Sequence, residues 1–266
     1  AGVGRGRFFG QAGGPYRIPR AGQNLLKLSD ATRKLTDQAA WLAESVRIAT
    51  QEVRERERET VMCLARAAEH RDAETGMHIV RMSHYAQLIA RQLGLPTSDQ
   101  ELLLDAAAMH DIGKVGIPDR VLLKPGKLDP DEMALMRQHA MLGYELLKGS
   151  SSPLLQAGAP VALGHHERYD GSGYPHGLKG EEIPLFCRIV AVADVFDALS
   201  SSRPYKRAWP LQDAAEHLRA GRGSHFDPQC VDAFLGAWPD VLAIRQRFED
   251  DDAPGTHAGG APNATA

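Results

Sequence analysis

Cysteine is scarce in this chain, with only Cys63, Cys187 and Cys230 in 266 residues, far apart and without C-x-x-C spacing. That argues against a thiolate zinc site and a disulfide framework, and it fits a reducing cytoplasm. Long apolar runs are missing as well. No window approaches the ~18 uninterrupted apolar residues of a membrane span, so no membrane association is expected. Ala1 to Arg20 is rich in Gly and Arg but lacks the apolar segment and small-residue cleavage site of a secretory signal. Nor does one sign of charge prevail: 31 basic and 34 acidic residues intermix to a net charge of −3. Without a chain-wide basic field, no long nucleic acid is an expected partner, and an anionic ligand must be held by a local pocket. Finally, no stretch shows convincing strand alternation, which points to an all-α fold.

What is present is an ordinary globular composition, 43% hydrophobic and 24% charged, long enough for one catalytic unit and a smaller appendage. Residues 1–22, glycine-rich and without periodicity, read as a flexible N-terminal segment. From Leu25 a heptad repeat follows, with Leu25, Thr32, Ala39, Val46 and Val53 at one position and Leu28, Leu35, Leu42 and Ala49 at the other. The seam ends at Arg56, inside the run Arg54 to Glu59. Residues 23–60 therefore form either an amphipathic helix lying on its own domain or a parallel coiled coil that makes a dimer and transmits a signal. Residues 61–248 read as consecutive helices, with apolar spacing over 61–70, 77–93, 99–112, 130–148, 153–166, 185–201, 210–220 and 228–237. Two Gly-, Pro- and Lys-rich interruptions, Gly113 to Asp129 and Arg168 to Pro184, are long enough to be functional loops. The acidic, Gly/Ala/Pro-rich residues 249–266 read as a disordered tail.

The chemistry lies in the helical part. Glu74 and His78 are four apart and share a helix face. His110 and Asp111 close the apolar run Leu102 to Met109, where an adjacent imidazole and carboxylate are expensive to bury without a metal or a partner. His139 sits mid-helix, His165 and His166 end a helical segment, and Asp194 is the one acid in Ile189 to Phe196. Each of these taken alone is most simply a satisfied core or surface residue. Together, five of the eleven histidines and three acids share apolar helical settings, which points to a polynuclear metal site. His70, His84, His176, His217, His225 and His257 lack such settings.

Four segments in order resemble the signatures of the HD-GYP family, a branch of the HD phosphohydrolases. They are Arg71-Asp72-Ala73-Glu74-Thr75-Gly76-Met77-His78, His110 to Asp119, His165 to Pro175, and Ala193 to Leu199 followed by Arg203-Pro204-Tyr205-Lys206. The resemblance runs from about Glu59 to Leu235, with no departure at a ligand position. It implies an HD-type helical bundle in which His78, His110, Asp111, His139, His165, His166 and Asp194 hold metal, with Asp111 bridging. Glu74 marks the members able to hold a third ion, so two or three divalent ions are implied. Imidazole with carboxylate and no thiolate suits iron or manganese, leaving zinc, nickel and magnesium open.

The activity implied is hydrolysis of cyclic di-GMP to linear pGpG and/or GMP by hydroxide generated on metal, in bacterial signalling. Lys114 is as readily a solvated loop lysine on spacing alone. The resemblance gives it and Asp111 catalytic roles. Arg203 and Lys206 are implied to grip the phosphates. Tyr174, in Gly173-Tyr174-Pro175, can stack on a guanine or be presented to a partner such as a diguanylate cyclase of the GGDEF type. Asp197, three residues after Asp194, can orient a ligand or a water. Other readings are hydrolysis of a different cyclic dinucleotide or nucleotide, or a non-catalytic interaction module. Asn24 to Glu59 resembles the helix that follows a receiver domain in response regulators of this family, although no receiver sequence is seen.

Overall fold

The computed structural model describes residues 20–71, 76–202 and 207–249. The segments expected to be flexible or disordered at either end thus lie largely outside the described residues. All named elements are helical: α1 (Arg20–Glu69), α2 (Gly76–Gln92), α3 (Thr97–Ala107), α4 (Asp119–Leu122), α5 (Pro130–Leu147), α6 (Pro153–Gly164), α7 (Leu185–Ser200), α8 (Leu211–Ala220), α9 (Pro228–Gly236) and α10 (Trp238–Arg247). Short 3-10 turns occupy Ile112–Gly116 and Gly180–Glu182. Among the described residues the only strand-like feature is an isolated bridge between Arg222 and Phe226. The all-α class read from the sequence is therefore the observed one. No described helix is long and apolar enough to cross a membrane.

The chain divides into Ala1–Arg56 and Glu57–Ala266. In the first unit, α1 is held by local bonds, including a bidentate Arg47–Glu44 pair and hydroxyls of Thr32, Thr36, Ser45 and Thr50 donating to carbonyls one turn back. Its heptad residues Leu25, Leu28, Leu35, Leu42, Val46 and Val53 are all exposed.

In the second unit α7 is buried nearly all round, which explains its almost uninterrupted apolar sequence. It packs against α2, and with α3, α6, α8, α9 and α10 the two build the main core. Here Tyr85 meets Phe196 and Phe234 edge-on at 5.4 and 5.6 Å. A second core joins Val61 and Ala65 of α1 to Ile79, Met109, Leu147 and Ala162. A third, around Ile117, Val121 and Leu122, seats the loop after the first 3-10 turn on α5.

Helix starts follow local chemistry. Asp129 and Glu132 form a capping box before Pro130, and Ser152 and Asp227 cap helices opened by Pro153 and Pro228. Several boundaries differ from the sequence reading: α1 runs unbroken through residue 60, and α10 lies beyond the last apolar segment. The 99–112 segment stops being α-helical at Ala107, because Met109, His110 and Ile112 donate to carbonyls three residues back rather than four. The interruption Gly113 to Asp129 contains α4 and most of a 3-10 turn.

Candidate metal centre

Two turns at helix ends and three helices deliver the site. The tight turn after α3 carries His110 and Asp111, α5 carries His139, the end of α6 carries His165 and His166, α2 carries His78, and α7 carries Asp194 and Asp197. The turn can press onto α5 only because residue 113 is glycine. A Cβ there would overlap the carbonyl oxygen of His139 and sit 2.5 Å from the backbone nitrogen of Gly143.

The ligating atoms fall into two groups, each able to hold a metal ion. Asp111, His139, His165 and His166 present atoms within 4.8 Å of one another, and so do Glu69, His78 and His110. In the first, Asp111 Oδ1 is 3.3 Å from His139 Nε2 and 3.5 Å from His165 Nε2. Beside the second, Asp194 Oδ1 lies 3.5 Å from His78 Nε2 and 4.0 Å from His110 Nε2. His110 Nε2 is also 3.3 Å from Asp111 Oδ2, so Asp111 touches both groups.

Ring orientation is fixed from outside. Nδ1 of His110 donates to the Ala107 carbonyl at 3.0 Å, and Nδ1 of His139 to Met136 at 2.7 Å. Nδ1 of His165 donates to Val161 and Ala162, both at 3.1 Å. His78 Nδ1 donates to Asp197 Oδ2 at 2.9 Å. Carbonyl oxygens only accept, so the proton sits on Nδ1 and the Nε2 lone pair faces inward in each neutral ring. Asp197, fully buried, is gripped by Arg81 through Nε at 2.7 Å and Nη2 at 3.0 Å. Burial opposes its ionisation, but His78 and Arg81 outweigh it and hold the carboxyl below its usual range.

Burial lowers the His139 imidazole to about 4 and pushes His166 well below the ordinary histidine range. For His110 burial also acts downward, yet Asp111 and Asp194 prevail and bring it to about 9. Burial disfavours the Asp111 carboxylate, but Lys114 and His110 hold it well below its usual value. Lys114 Nζ is 2.8 Å from Asp111 Oδ2, and the side chain is buried rather than solvated.

The loop Arg168 to Pro184 folds back onto this centre. A Cβ on Gly173 would lie 2.6 Å from the His166 carbonyl oxygen. The amide of Tyr174 donates to that same carbonyl at 3.2 Å. Buried Glu167 pins the loop by accepting from the amides of His176 and Leu178 at 2.7 and 3.1 Å. The Tyr174 ring stacks on His166 at 4.7 Å and carries the Arg137 guanidinium 5.0 Å from its centroid. Pro175 is exposed beside it. Thus His78, His110, Asp111, Lys114, His139, His165, His166, Gly173, Tyr174, Asp194 and Asp197 gather in one region, whereas Glu74, Arg203 and Lys206 lie outside the described residues. Sequence reasoning missed Glu69, Arg81 and Arg137. Glu69 was signalled by its place on the apolar face of α1, four residues beyond Ala65 and eight beyond Val61.

A donor set of inward lone pairs and buried carboxylates, without thiolate, suits divalent ions. The profile of the HD domain family matches residues 51–230. The chain belongs to the HD domain family. The motif resemblance agrees with that match. Its HD domain is similar to the "Cyclic di-GMP phosphodiesterase response regulator RpfG" of Xanthomonas campestris pv. campestris, 55% identical over 90% of this chain and 63% of that protein. It is also similar to the "3'3'-cGAMP-specific phosphodiesterase 2" of Vibrio cholerae, 44% identical over 75% of this chain and 38% of that protein. The chain thus spans less than two thirds of the length of these curated relatives. A crystal structure of a cyclic GMP-AMP specific phosphodiesterase of V. cholerae shares the HD fold, with a TM-score of 0.52 over 72% of this chain and 51% of that one at 20% identity.

Proposed function

We propose that the chain is a metal-dependent phosphodiesterase of the HD-GYP branch that hydrolyses cyclic di-GMP to linear pGpG and/or GMP in bacterial second-messenger signalling. The observation that carries the chemistry is the set of imidazoles whose Nδ1 atoms are tied outward while Nε2 faces the Asp111 and Asp194 carboxylates. The substrate follows from the 55% identical relative. Two or three ions are held by His78, His110, Asp111, His139, His165, His166 and Asp194, with Glu74 for the third, and iron or manganese suits these donors. When bound, such ions lower the pKa of a water and neutralise phosphoryl charge.

The chain's own residues do the rest. Asp111 joins the two groups of ligands. Lys114, 2.8 Å from Asp111, supplies a proton-bearing donor and positive charge to a phosphoryl oxygen or the attacking water. Arg203 and Lys206 supply the phosphate grip that the overall charge balance lacks. Gly173 and Pro175 shape the loop that presents Tyr174. Its ring already rests on His166 and Arg137, so it meets a guanine as part of that stack. The same loop is the candidate contact for a GGDEF-type cyclase, residues 25–56 are the candidate homodimer seam, and the setting is a cytoplasmic two-component system.

The test is anaerobic reconstitution with iron or manganese, then turnover of cyclic di-GMP, 3'3'-cGAMP and cyclic di-AMP. Linear product from cyclic di-GMP, abolished in Asp111→Ala with helicity intact, is the expected outcome. Preference for 3'3'-cGAMP, as in the name of the 44% identical relative, would move the substrate and keep the chemistry. No hydrolysis of any substrate by metal-loaded protein would sink the reading in favour of an interaction module.

A further inference from the structure

We infer that Glu69 is a metal-binding carboxylate of the His78–His110 group, a role that rests on reading this site as a metal centre. Glu69 is the last residue of α1 and only 3% exposed. Its Oε1 lies 3.9 Å from His78 Nε2, and both carboxylate and imidazole belong with His110 to a set of ligating atoms within 4.8 Å of one another. That separation is too long for a hydrogen bond between Glu69 and His78 and suits two ligands converging on one ion.

Three physical terms point the same way. A buried, water-poor setting strengthens the attraction between a carboxylate and a cation. The C-terminal end of a helix carries partial negative charge, which disfavours an anion and favours a cation. The histidines facing Glu69 have their Nδ1 protons committed to Asp197 and to the Ala107 carbonyl, so each offers Glu69 a lone pair in its neutral form. A divalent ion satisfies all three terms at once. This gives one ion two imidazoles and a carboxylate, a donor set chemically distinct from the histidine-rich group around His139.

The test compares wild type with Glu69→Gln, which keeps shape and removes charge. Both are loaded with Mn2+ under anaerobic conditions, desalted, and analysed for metal per chain by atomic emission, with circular dichroism recorded on the metal-free forms. The expected result is one ion fewer per chain in the variant, or at least about tenfold weaker Mn2+ binding at one site, with helicity unchanged. Equal metal content and affinity in the two proteins would overturn the role of Glu69 alone, whereas a wild type that binds no metal would overturn the metal-centre reading itself. If the variant fails to fold, anomalous diffraction from Mn2+-loaded wild type decides. An ion within about 2.6 Å of a Glu69 oxygen supports the role, and metal bound elsewhere but not there refutes it.

Discussion

At the scale of the residue, the centre depends on side chains that would not bind metal themselves. Asp197 joins His78 to Arg81, and removing its charge leaves a buried guanidinium without its carboxylate. Asp197→Asn should therefore cost about 3–5 kcal/mol of stability at neutral pH, by analogy with broken buried pairs, and weaken metal binding about 10- to 100-fold. Thermal melts and metal titration check both. The acid limb gives the sign. A carboxyl held below its usual value contributes stability above the unfolded pKa of about 3.9, and that stability is lost as pH falls through the folded value. The melting gap between wild type and Asp197→Asn should thus narrow below about pH 4. A constant gap would mean that the loss is one of shape and not charge.

At the scale of the element, helix identity was legible because α2, α5, α6, α8 and α9 bury a periodic face and α7 is apolar nearly all round, and their observed bounds fall within a few residues of the apolar spacing. Boundaries were legible where a cap stands, as at Asp129 and Ser152. They were not where apolar sequence continues through a change of hydrogen-bond step, as from Ala108 to Ile112, because side-chain pattern does not report which carbonyl an amide selects. The gathering of His110, His139, His165 and Asp111 was suggested by their apolar helical settings and by the family resemblance, but the inward Nε2 atoms of the three histidines follow from main-chain carbonyls that no motif encodes. Glu69 carried only the weak signal of its place on the apolar face of α1, and the role of Gly113 was invisible until α5 was seen against it. Gly113→Ala forces the turn off α5 and should destabilise by about 1–3 kcal/mol, with a larger proportional loss of metal than Gly149→Ala, where a Cβ meets nothing. Denaturant midpoints and metal content of the two variants would show it. Equal effects would remove the close approach as an explanation.

At the scale of the whole molecule, the first unit offers a helix whose apolar heptad positions are exposed, among them Leu28 at 65% and Leu35 at 66%. Isolated helices gain little from propensity alone, so the homodimer proposed along this seam would be a source of its stability. The double variant Leu28→Glu, Leu35→Glu should sediment as a monomer where wild type sediments as a dimer, with lower ellipticity at 222 nm. A monomeric wild type would dismiss the seam as an interface.

The second unit has large apolar cores of its own, so its fold does not wait on metal as that of a zinc finger does. Chelation should leave its helicity in place and lower only the melting temperature, by mass action. Scanning calorimetry before and after chelation measures both, and a loss of helix on chelation would refute this. The carbonyl tethers on His110, His139 and His165 then acquire a thermodynamic meaning. The rotamer freedom of these rings is surrendered when the chain folds, before any ion arrives. Loading becomes the filling of a rigid mould, its entropy set chiefly by water released from the incoming ion.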